Sequence, residues 1–561
     1  MSFQENHFTP FTSSIDTYTL PEQFTFPFYY QPHPLCLLAA KELQTHLQTQ
    51  KQWQHNFGLS DDKENVIGKM FGVLLVQNKA NEIGYLAAFS GKLAGKNQLP
   101  KFVPPIFDML TEESFYTSGQ VEINQINSVI ENLEKNPQIL ALKTHLHAEK
   151  DAAIIQIKQH REAMIEGRKL RKSQRTSAEI ELSADDFLQL KESLSKESIH
   201  QKNQLRDLNN YWDERISSAE SKLNQLTDKI SVLKNQRKNL SATLQQKLFD
   251  QYHFLNKKGV SKSVCDIFKE TPQRIPPAGS GECAAPKLLQ YAFKEGLKPL
   301  AMAEFWWGES PKSAIRKHQQ FYSACQGKCQ PILEHMLEGI KMDDNPLLNN
   351  SAAEKSIDII YQDDVMLVIN KPAELLSVPG TNIEDSVYLR IKQSFPKAIG
   401  PLIVHRLDMS TSGLMLIALT KDAHKNIQKQ FINRSIKKRY VAVLDGLIKE
   451  DTGTIELPLR VDLDDRPRQL VCYQHGKSAK TQWEVIERKN NQTKVYFSPI
   501  TGRTHQLRVH SAHLKGLNTP ILGDDLYGNK ASRLHLHAEL IEFNHPVTRE
   551  LMHFEIEADF N

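Results

Sequence analysis

From Gln138 to Lys258 the chain has no proline and one glycine, Gly167. Lys, Glu, Gln, Leu and Ile dominate this stretch, and Leu223, Leu226, Ile230 and Leu233 recur at three- and four-residue steps. That spacing puts apolar side chains on one stripe of a helix, and so long a run without a breaker is not divided into the short elements of an ordinary core. Thr176-Ser177-Ala178 and Ser183-Ala184-Asp185-Asp186 interrupt the pattern, and Ser183 with Asp186 is a helix-start signal. The expectation is a coiled-coil hairpin over 121–258, two long antiparallel helices joined by that loop. Its plain reading is a solvated spacer. Lys169, Arg171, Lys172 and Arg175 near the expected tip can grip an anion, though such a run is ordinarily a wet helix end.

The helical stretch interrupts folded sequence. Before it, 1–120 predicts a helix over Leu35–Leu47, a buried strand over Gly68–Val76, a turn at Asn78–Glu82 and a returning strand over Ile83–Phe89. After it, 259–341 predicts a helix opening at Cys283 and a strand over Leu300–Trp307. These segments read as two parts of one α/β accessory domain, split by the arm. The polar 342–355 reads as a linker, and 356–561 as the last domain. About three domains suit 561 residues. A net charge of +4 is small for this length and neither requires nor excludes a nucleic-acid partner. Six scattered cysteines fit a reducing cytoplasm better than a secreted scaffold. Met1–His7 lacks the features of a signal peptide, and no apolar run of about 18 residues exists, so no membrane partner is expected and the location read is cytoplasmic.

Cys325-Gln326-Gly327-Lys328-Cys329 pairs two thiols, with Cys283 upstream and His318 and His335 flanking. Zinc favours four such ligands. The spacing is looser than paired CxxC motifs, and buried free cysteines are ordinary core residues, so Cys283, Cys325 and Cys329 stand as candidates without an assigned metal. The order of elements loosely matches zinc deaminases, whose signature places Glu two residues after the first ligand. Ala285 occupies that place, and Glu282 precedes the cysteine, so deamination is not expected.

His405-Arg406-Leu407-Asp408-Met409-Ser410-Thr411-Ser412-Gly413 sets one aspartate between a basic residue and a turn-forming segment, with the strand-like Leu414–Leu419 behind it. A carboxylate so placed can be held as an ion and aimed into a cleft, as a covalent or electrostatic catalyst. Around it stand a strand ending in Asn370-Lys371-Pro372, a strand opening at Lys437-Lys438-Arg439-Tyr440, the run Ile500–His510 containing Arg503, His505 and Arg508, and Pro520–Gly528. Each has a plain reading. Asp408 after an arginine is usually a surface ion pair. Tyr440 is a core strand residue, Arg508 a strand-edge charge, and Lys371 a support of the fold. His405, His505 and His510 share no metal-ligand spacing.

Taken together and in this order, these segments resemble the RluA-type pseudouridine synthases over about residues 356–561. Pro458–Lys480 and Leu534–Glu539 resemble the compact branch acting on ribosomal and transfer RNA. The resemblance implies an α+β fold with a mixed, mostly antiparallel sheet and an RNA-holding cleft. It implies a reaction that breaks the glycosidic bond of a uridine, turns the base and rejoins it through carbon, with no cofactor and no metal. Asp408 matches the essential aspartate, Arg508 the arginine that pairs with it, and Tyr440 the tyrosine that stacks on the target base. Arg406 matches a residue that fills the space the flipped base vacates. Lys437, Lys438 and Arg439, with Arg434 beside them, then read as phosphate contacts, and Arg503 and His505 as further RNA-binding residues. Many relatives carry a small N-terminal S4 domain; no such segment is evident here. The arm gains a functional reading as an element that reaches a large RNA or a partner. The competing reading is a catalytically silent RNA-binding or scaffold protein that works through the arm.

Overall fold

The computed structural model describes residues 7–60, 67–111, 114–380, 382–463 and 465–560. In chain order it gives β1 (Thr9–Pro10), α1 (Pro34–Thr49), β2 (Lys69–Gln77) and β3 (Ile83–Phe89). Then come α2 (Phe115–Glu134), α3 (Pro137–Glu181) and α4 (Ala184–Phe249). Next are β4 (His253–Leu255), β5 (Ser261–Ser263), α5 (Val264–Lys269), α6 (Ala284–Glu295), β6 (Lys298–Trp307), β7 (Phe321–Tyr322) and α7 (Gln330–Met336). The last stretch holds β8 (Asp358–Gln362), β9 (Met366–Lys371), α8 (Val387–Ser394), β10 (Leu402–Ile403), β11 (Ser412–Ala418), α9 (Lys421–Ile432) and β12 (Lys437–Leu444). It ends with β13 (Thr452–Glu456), β14 (Leu459–Val461), β15 (Gln469–Val471), β16 (Lys480–Lys489), β17 (Gln492–Pro499), α10 (Gln506–Ala512), β18 (Leu536–Asn544) and β19 (Leu551–Glu555). Two compact units result, Met109–Leu248 and the remainder. Among the described residues no helix is long and apolar enough to cross a membrane.

The smaller unit pairs α4 with α2 and α3. Contacts run in opposite senses: Glu149 with Arg215, Gln156 with Trp212, His160 with Gln201 and Arg171 with Glu197. The stripe Leu223, Leu226, Ile230, Leu233 meets Ile126, Ile130 and Ile139. Gly167 lies where Gln201 leaves little room for a Cβ, 3.0 Å from its amide nitrogen. Ser183 and Asp186 cap α4 reciprocally: Asp186 N–H donates to Ser183 Oγ at 3.3 Å, and that hydroxyl donates to the Asp186 carboxylate at 2.6 Å. The sequence predicted two helices; there are three. Asn136 caps α3 and Pro137 opens it, which breaks the first limb just before the proline-free stretch begins. Helix also starts at Phe115 and ends at Phe249, earlier at both ends than 121–258. Of the four basic residues at the tip, Arg171 is buried against Glu197.

In the larger unit, one sheet has the order β1-β3-β2-β6-β7, antiparallel throughout, so strands from before and after the smaller unit share it. Leu35, Ala39 and Leu43 of α1 pack with Phe71, Val73 and Phe305 on one face. α6 covers the other, where Ala284 and Leu288 lie against Gly72.

The second sheet runs β13-β16-β17-β12-β18-β11-β9-β8, with β10 on β11 and β19 on β18. Among the described residues of this sheet, β11–β18 is the one parallel strand pairing. All of β11 is buried: Met415 and Ile417 face one core, Leu414 and Leu416 another. This accounts for its unbroken apolar run. The residues expected as a free linker are instead seated on this domain. Ala352 is fully buried, Arg390 donates to the Ala352 and Lys355 carbonyls, and Asn350 donates to Asp385 at 2.6 Å. Polar composition alone does not distinguish a tether from a strap.

Candidate active site

Asp408 lies between β10 and β11, and its neighbours on both sides are tied down. Ser377 Oγ donates to the Leu407 carbonyl at 2.7 Å and accepts from the Leu407 amide at 3.2 Å. The Met409 carbonyl accepts from the Glu374 amide and from Lys371 Nζ, each at 2.9 Å. Lys371 is fully buried and donates also to the carbonyls of Pro372 at 2.9 Å and Leu375 at 2.8 Å. Three carbonyls match the three protons of an ammonium. Burial pushes its pKa down to about 7, and the charges of Glu374 and Asp408 oppose that shift. His405 Nε2 accepts from the Leu416 amide at 3.0 Å and its ring lies 4.7 Å from Phe431. Burial, then Lys438, drive its pKa down to about 3, so it is a neutral brace for the loop.

Register brings Tyr440 to the same place. Ala538 of β18 lies opposite Gly413 of β11 on one side and Tyr440 of β12 on the other. Gly413 has φ +115°, and a Cβ there would strike the Ala538 backbone, so only glycine permits this close strand approach. Burial and the charge of Asp408 raise the Tyr440 hydroxyl above its ordinary pKa, which keeps it protonated.

Arg508 projects from α10, a helix rather than a strand edge, and is 3% exposed. Its Nε and Nη2 donate to the two oxygens of Asp524 at 2.9 and 2.6 Å, and Nη2 also to Asp525 at 3.0 Å. The expected partner was Asp408; instead these two aspartates take the hydrogen bonds, and Asp408 acts on Arg508 through charge alone. Although burial alone would lower it, the carboxylates hold the Arg508 pKa above its ordinary value. The amides of Leu526 and Tyr527 donate to Asp524 Oδ1, each at 3.0 Å, which compensates a fully buried carboxylate. Among the described residues no hydrogen bond reaches the Asp408 carboxylate, while its charge is felt at Lys371, Tyr440, His505 and Arg508.

Asp408, Tyr440, His505 and Arg508 line a cleft of about 1440 Å³, larger than the roughly 300–1,000 Å³ of small-molecule pockets. Arg406, exposed and without a hydrogen-bond partner among the described residues, lies on its wall with Lys437, Lys438, Arg434 and Arg503. Lys437 is 74% exposed although paired with Glu542 at 2.7 Å. Lys438 Nζ sits 5.7 Å from the Phe431 ring. Arg503 donates through Nε to the Ser478 carbonyl at 3.0 Å. Two of the expected RNA contacts are placed otherwise. Arg439 does not line the cleft: it pairs with Glu539 at 2.8 Å and with Glu555, and stacks 4.3 Å from Tyr496. His505 reaches the wall but is buried, with Nδ1 2.9 Å from Tyr527 Oη, and burial lowers its pKa. His510 is fully buried 2.9 Å from Thr481 Oγ1.

Tyr29 and Gln320, far upstream, complete the wall, and Ile315 and Arg316 pack behind it. Tyr29 Oη donates to Asp525 at 2.9 Å. Arg316 and Arg468 share Asp465 at 2.6 and 2.8 Å, and Gln320 donates to the Gly528 carbonyl. Ile315 packs in the same core as Trp483 and Phe497. Sequence reasoning missed Tyr29, Ser377, Asp524 and Asp525 as site residues. A buried arginine needs an anion, so Asp524-Asp525 in the Pro520–Gly528 run was a usable signal; Tyr29 carried none. Cys283, Cys325 and Cys329 come together on the elements of the first sheet. His318 and His335 do not join them: one accepts from the Gly308 amide, the other meets the Phe254 carbonyl.

The family described as RNA pseudouridylate synthase matches residues 365–513. The chain is 47% identical over 210 residues to the dual-specificity RNA pseudouridine synthase RluA of Yersinia pestis, covering 36% of this chain and 99% of that protein. It is 46% identical over 219 residues to the protein of the same name from Escherichia coli strain K12, covering 38% of this chain and 97% of that one. A solved structure of human RNA pseudouridylate synthase domain containing 1 is 28% identical, with a TM-score of 0.32, over 39% of this chain and 88% of that one.

Proposed function

Because the chain belongs to the RluA-type RNA pseudouridine synthases, isomerases that act on RNA, we propose that residues 356–561 convert a specific uridine of ribosomal or transfer RNA to pseudouridine at Asp408. The observation that carries this reading is the Asp408 carboxylate: it has no hydrogen-bond partner among the described residues, yet both its neighbours are clamped by Ser377, Glu374 and Lys371. A carboxylate fixed in direction and open to a ligand suits attack at the sugar, or charge stabilisation as the base departs.

Tyr440 stacks on the extruded base, and its protonated hydroxyl is a proton donor or relay. Arg508 holds the Asp524-Asp525 turn and adds positive charge beside Asp408. Arg406 enters the space the base leaves. Lys437, Lys438, Arg434 and Arg503 contact phosphates, a role supported by their place on the wall; Arg439 and His505 act instead as supports. The glycosidic bond is broken and a carbon bond made within one substrate, so no outside reactant is consumed.

The first 341 residues form an accessory α/β domain split by the helical arm, and this domain takes part in choosing the RNA. Tyr29 and Gln320 on the cleft wall support that role. The arm adds reach, with Lys169, Lys172 and Arg175, exposed at its tip, as phosphate contacts. The reaction is placed in the cytoplasm.

Mapping pseudouridine in ribosomal and transfer RNA from cells with and without the gene tests this. A site lost with the gene, restored by the wild-type chain and not by Asp408→Asn, is the expected result. Unchanged maps in both RNA classes would overturn the reading.

A further inference from the structure

A cluster of thiols outside the cleft has no part in this chemistry. Cys283 precedes α6, Cys325 follows β7 and Cys329 precedes α7. Topology brings them together across the 41 residues of sequence between the first two, and their sulfur atoms all lie within 4.8 Å of one another. A tetrahedral centre with metal–sulfur bonds of about 2.3 Å needs sulfur–sulfur distances of about 3.8 Å, which falls inside that limit. Cys329 is 2% exposed and the other two are half-buried. Three thiols in mutual reach are not all satisfied by one disulfide, which would leave one behind.

Two buried ionisable side chains approach the cluster. Cys283 is the N-cap of α6 and makes no side-chain capping bond, so its sulfur is not used on the helix amides. Lys287, 2% exposed, is in electrostatic reach of Cys283. Glu304, 4% exposed on β6, accepts from the Ala285 amide at 3.3 Å and lies in electrostatic reach of Cys325. A buried carboxylate thus arrives from a neighbouring strand next to the position where Ala285 offers none.

We propose that Cys283, Cys325 and Cys329 bind one zinc ion as thiolates, with an exchangeable fourth position beside the Glu304 carboxylate. Thiolates select zinc over the hard divalent cations, and three protein ligands leave the fourth position open to water. Glu304 is the acceptor for that water, an outer partner that orients the site. Binding ties the β7–α7 connection to the start of α6, stabilising the accessory domain. The proposal does not depend on the assignment of Asp408.

The test is elemental analysis of the full-length protein purified without chelator, followed by titration with an organomercurial and a zinc-sensing dye. One zinc per chain, released in step with modification of three thiols, is expected. Cobalt substituted for zinc should show thiolate charge-transfer absorption and the intense visible bands of a tetrahedral ion. Cys329→Ser should bind at least tenfold less zinc, and the wild-type titration stands even if that variant does not fold. A metal-free protein whose three thiols react with no release, iron with sulfide in place of zinc, or an octahedral cobalt spectrum would each overturn the assignment.

Discussion

Tyr29 donates its hydroxyl hydrogen to Asp525 at 2.9 Å, joining residues 496 apart in sequence. Asp525 in turn accepts from Arg508 at 3.0 Å, and Arg508 holds Asp524 with two further bonds. The first sheet's segment therefore touches the charge network behind Asp408, two hydrogen bonds from its central arginine. Burial, then Asp525, raise the Tyr29 hydroxyl above its ordinary pKa, so the proton stays on tyrosine.

Tyr29→Phe removes that proton and leaves the ring. A hydrogen bond to a charged group contributes about 1.5–3 kcal/mol, so thermal stability should drop and kcat/KM on the natural RNA should fall roughly tenfold. Steady-state kinetics checks this, and an unchanged kcat/KM would separate Tyr29 from the site.

Lys371→Met should cost stability and activity together. Three carbonyls lose the ammonium at once, and among the described residues only that of Met409 keeps another donor, the Glu374 amide; leaving such groups short of partners costs about 3 kcal/mol or more. One of them is the Met409 carbonyl, so the Asp408 loop loses a clamp and kcat should fall more than KM rises. Denaturant unfolding and single-turnover rates measure the two effects.

His405 gives the protein a sensitivity to acid. Its pKa is about 3 in the folded chain against an ordinary 6.5. Between these values the unfolded chain binds a proton that the folded chain refuses, so stability is full above about pH 6.5 and falls as pH drops. His405→Gln keeps an acceptor for the Leu416 amide without titrating. Its thermal midpoint should fall less than that of wild type between neutral pH and about pH 5; parallel curves would contradict the assignment.

Arg503 and Arg439 are expected to separate binding from folding. Arg503→Ala should weaken RNA affinity and reduce the salt dependence by about one phosphate contact. Arg439→Ala should leave that slope unchanged and lower thermal stability, because its guanidinium is occupied by Glu539, Glu555 and Tyr496. Filter binding across a salt series gives both slopes.

These residues also mark what can be read from a linear chain. β3 was legible over Ile83–Phe89 because its signal is local: an apolar run after the Asn78–Glu82 turn. The loop at Asp408 was legible because its turn and the buried strand behind it are contiguous. Lys437-Lys438-Arg439 was read as one basic cluster, yet Lys437 and Lys438 line the cleft while Arg439 is taken up by Glu539, Glu555 and Tyr496, partners that come from distant strands. The break at Asn136-Pro137 lies one residue before the proline-free stretch, so its even composition hides it. The partners of Arg508 and the meeting of Cys283 with Cys325 and Cys329 depend on topology, which no spacing encodes.

The central claim is that the Asp408 carboxylate performs the chemistry. Pseudouridine formation frees the hydrogen on the uracil carbon that becomes bonded to the sugar, so RNA carrying tritium there reports each turnover. Purified wild-type protein should release tritium from its substrate RNA, and Asp408→Asn should release none while binding the same RNA with unchanged affinity. Release by Asp408→Asn at the wild-type rate would contradict the account.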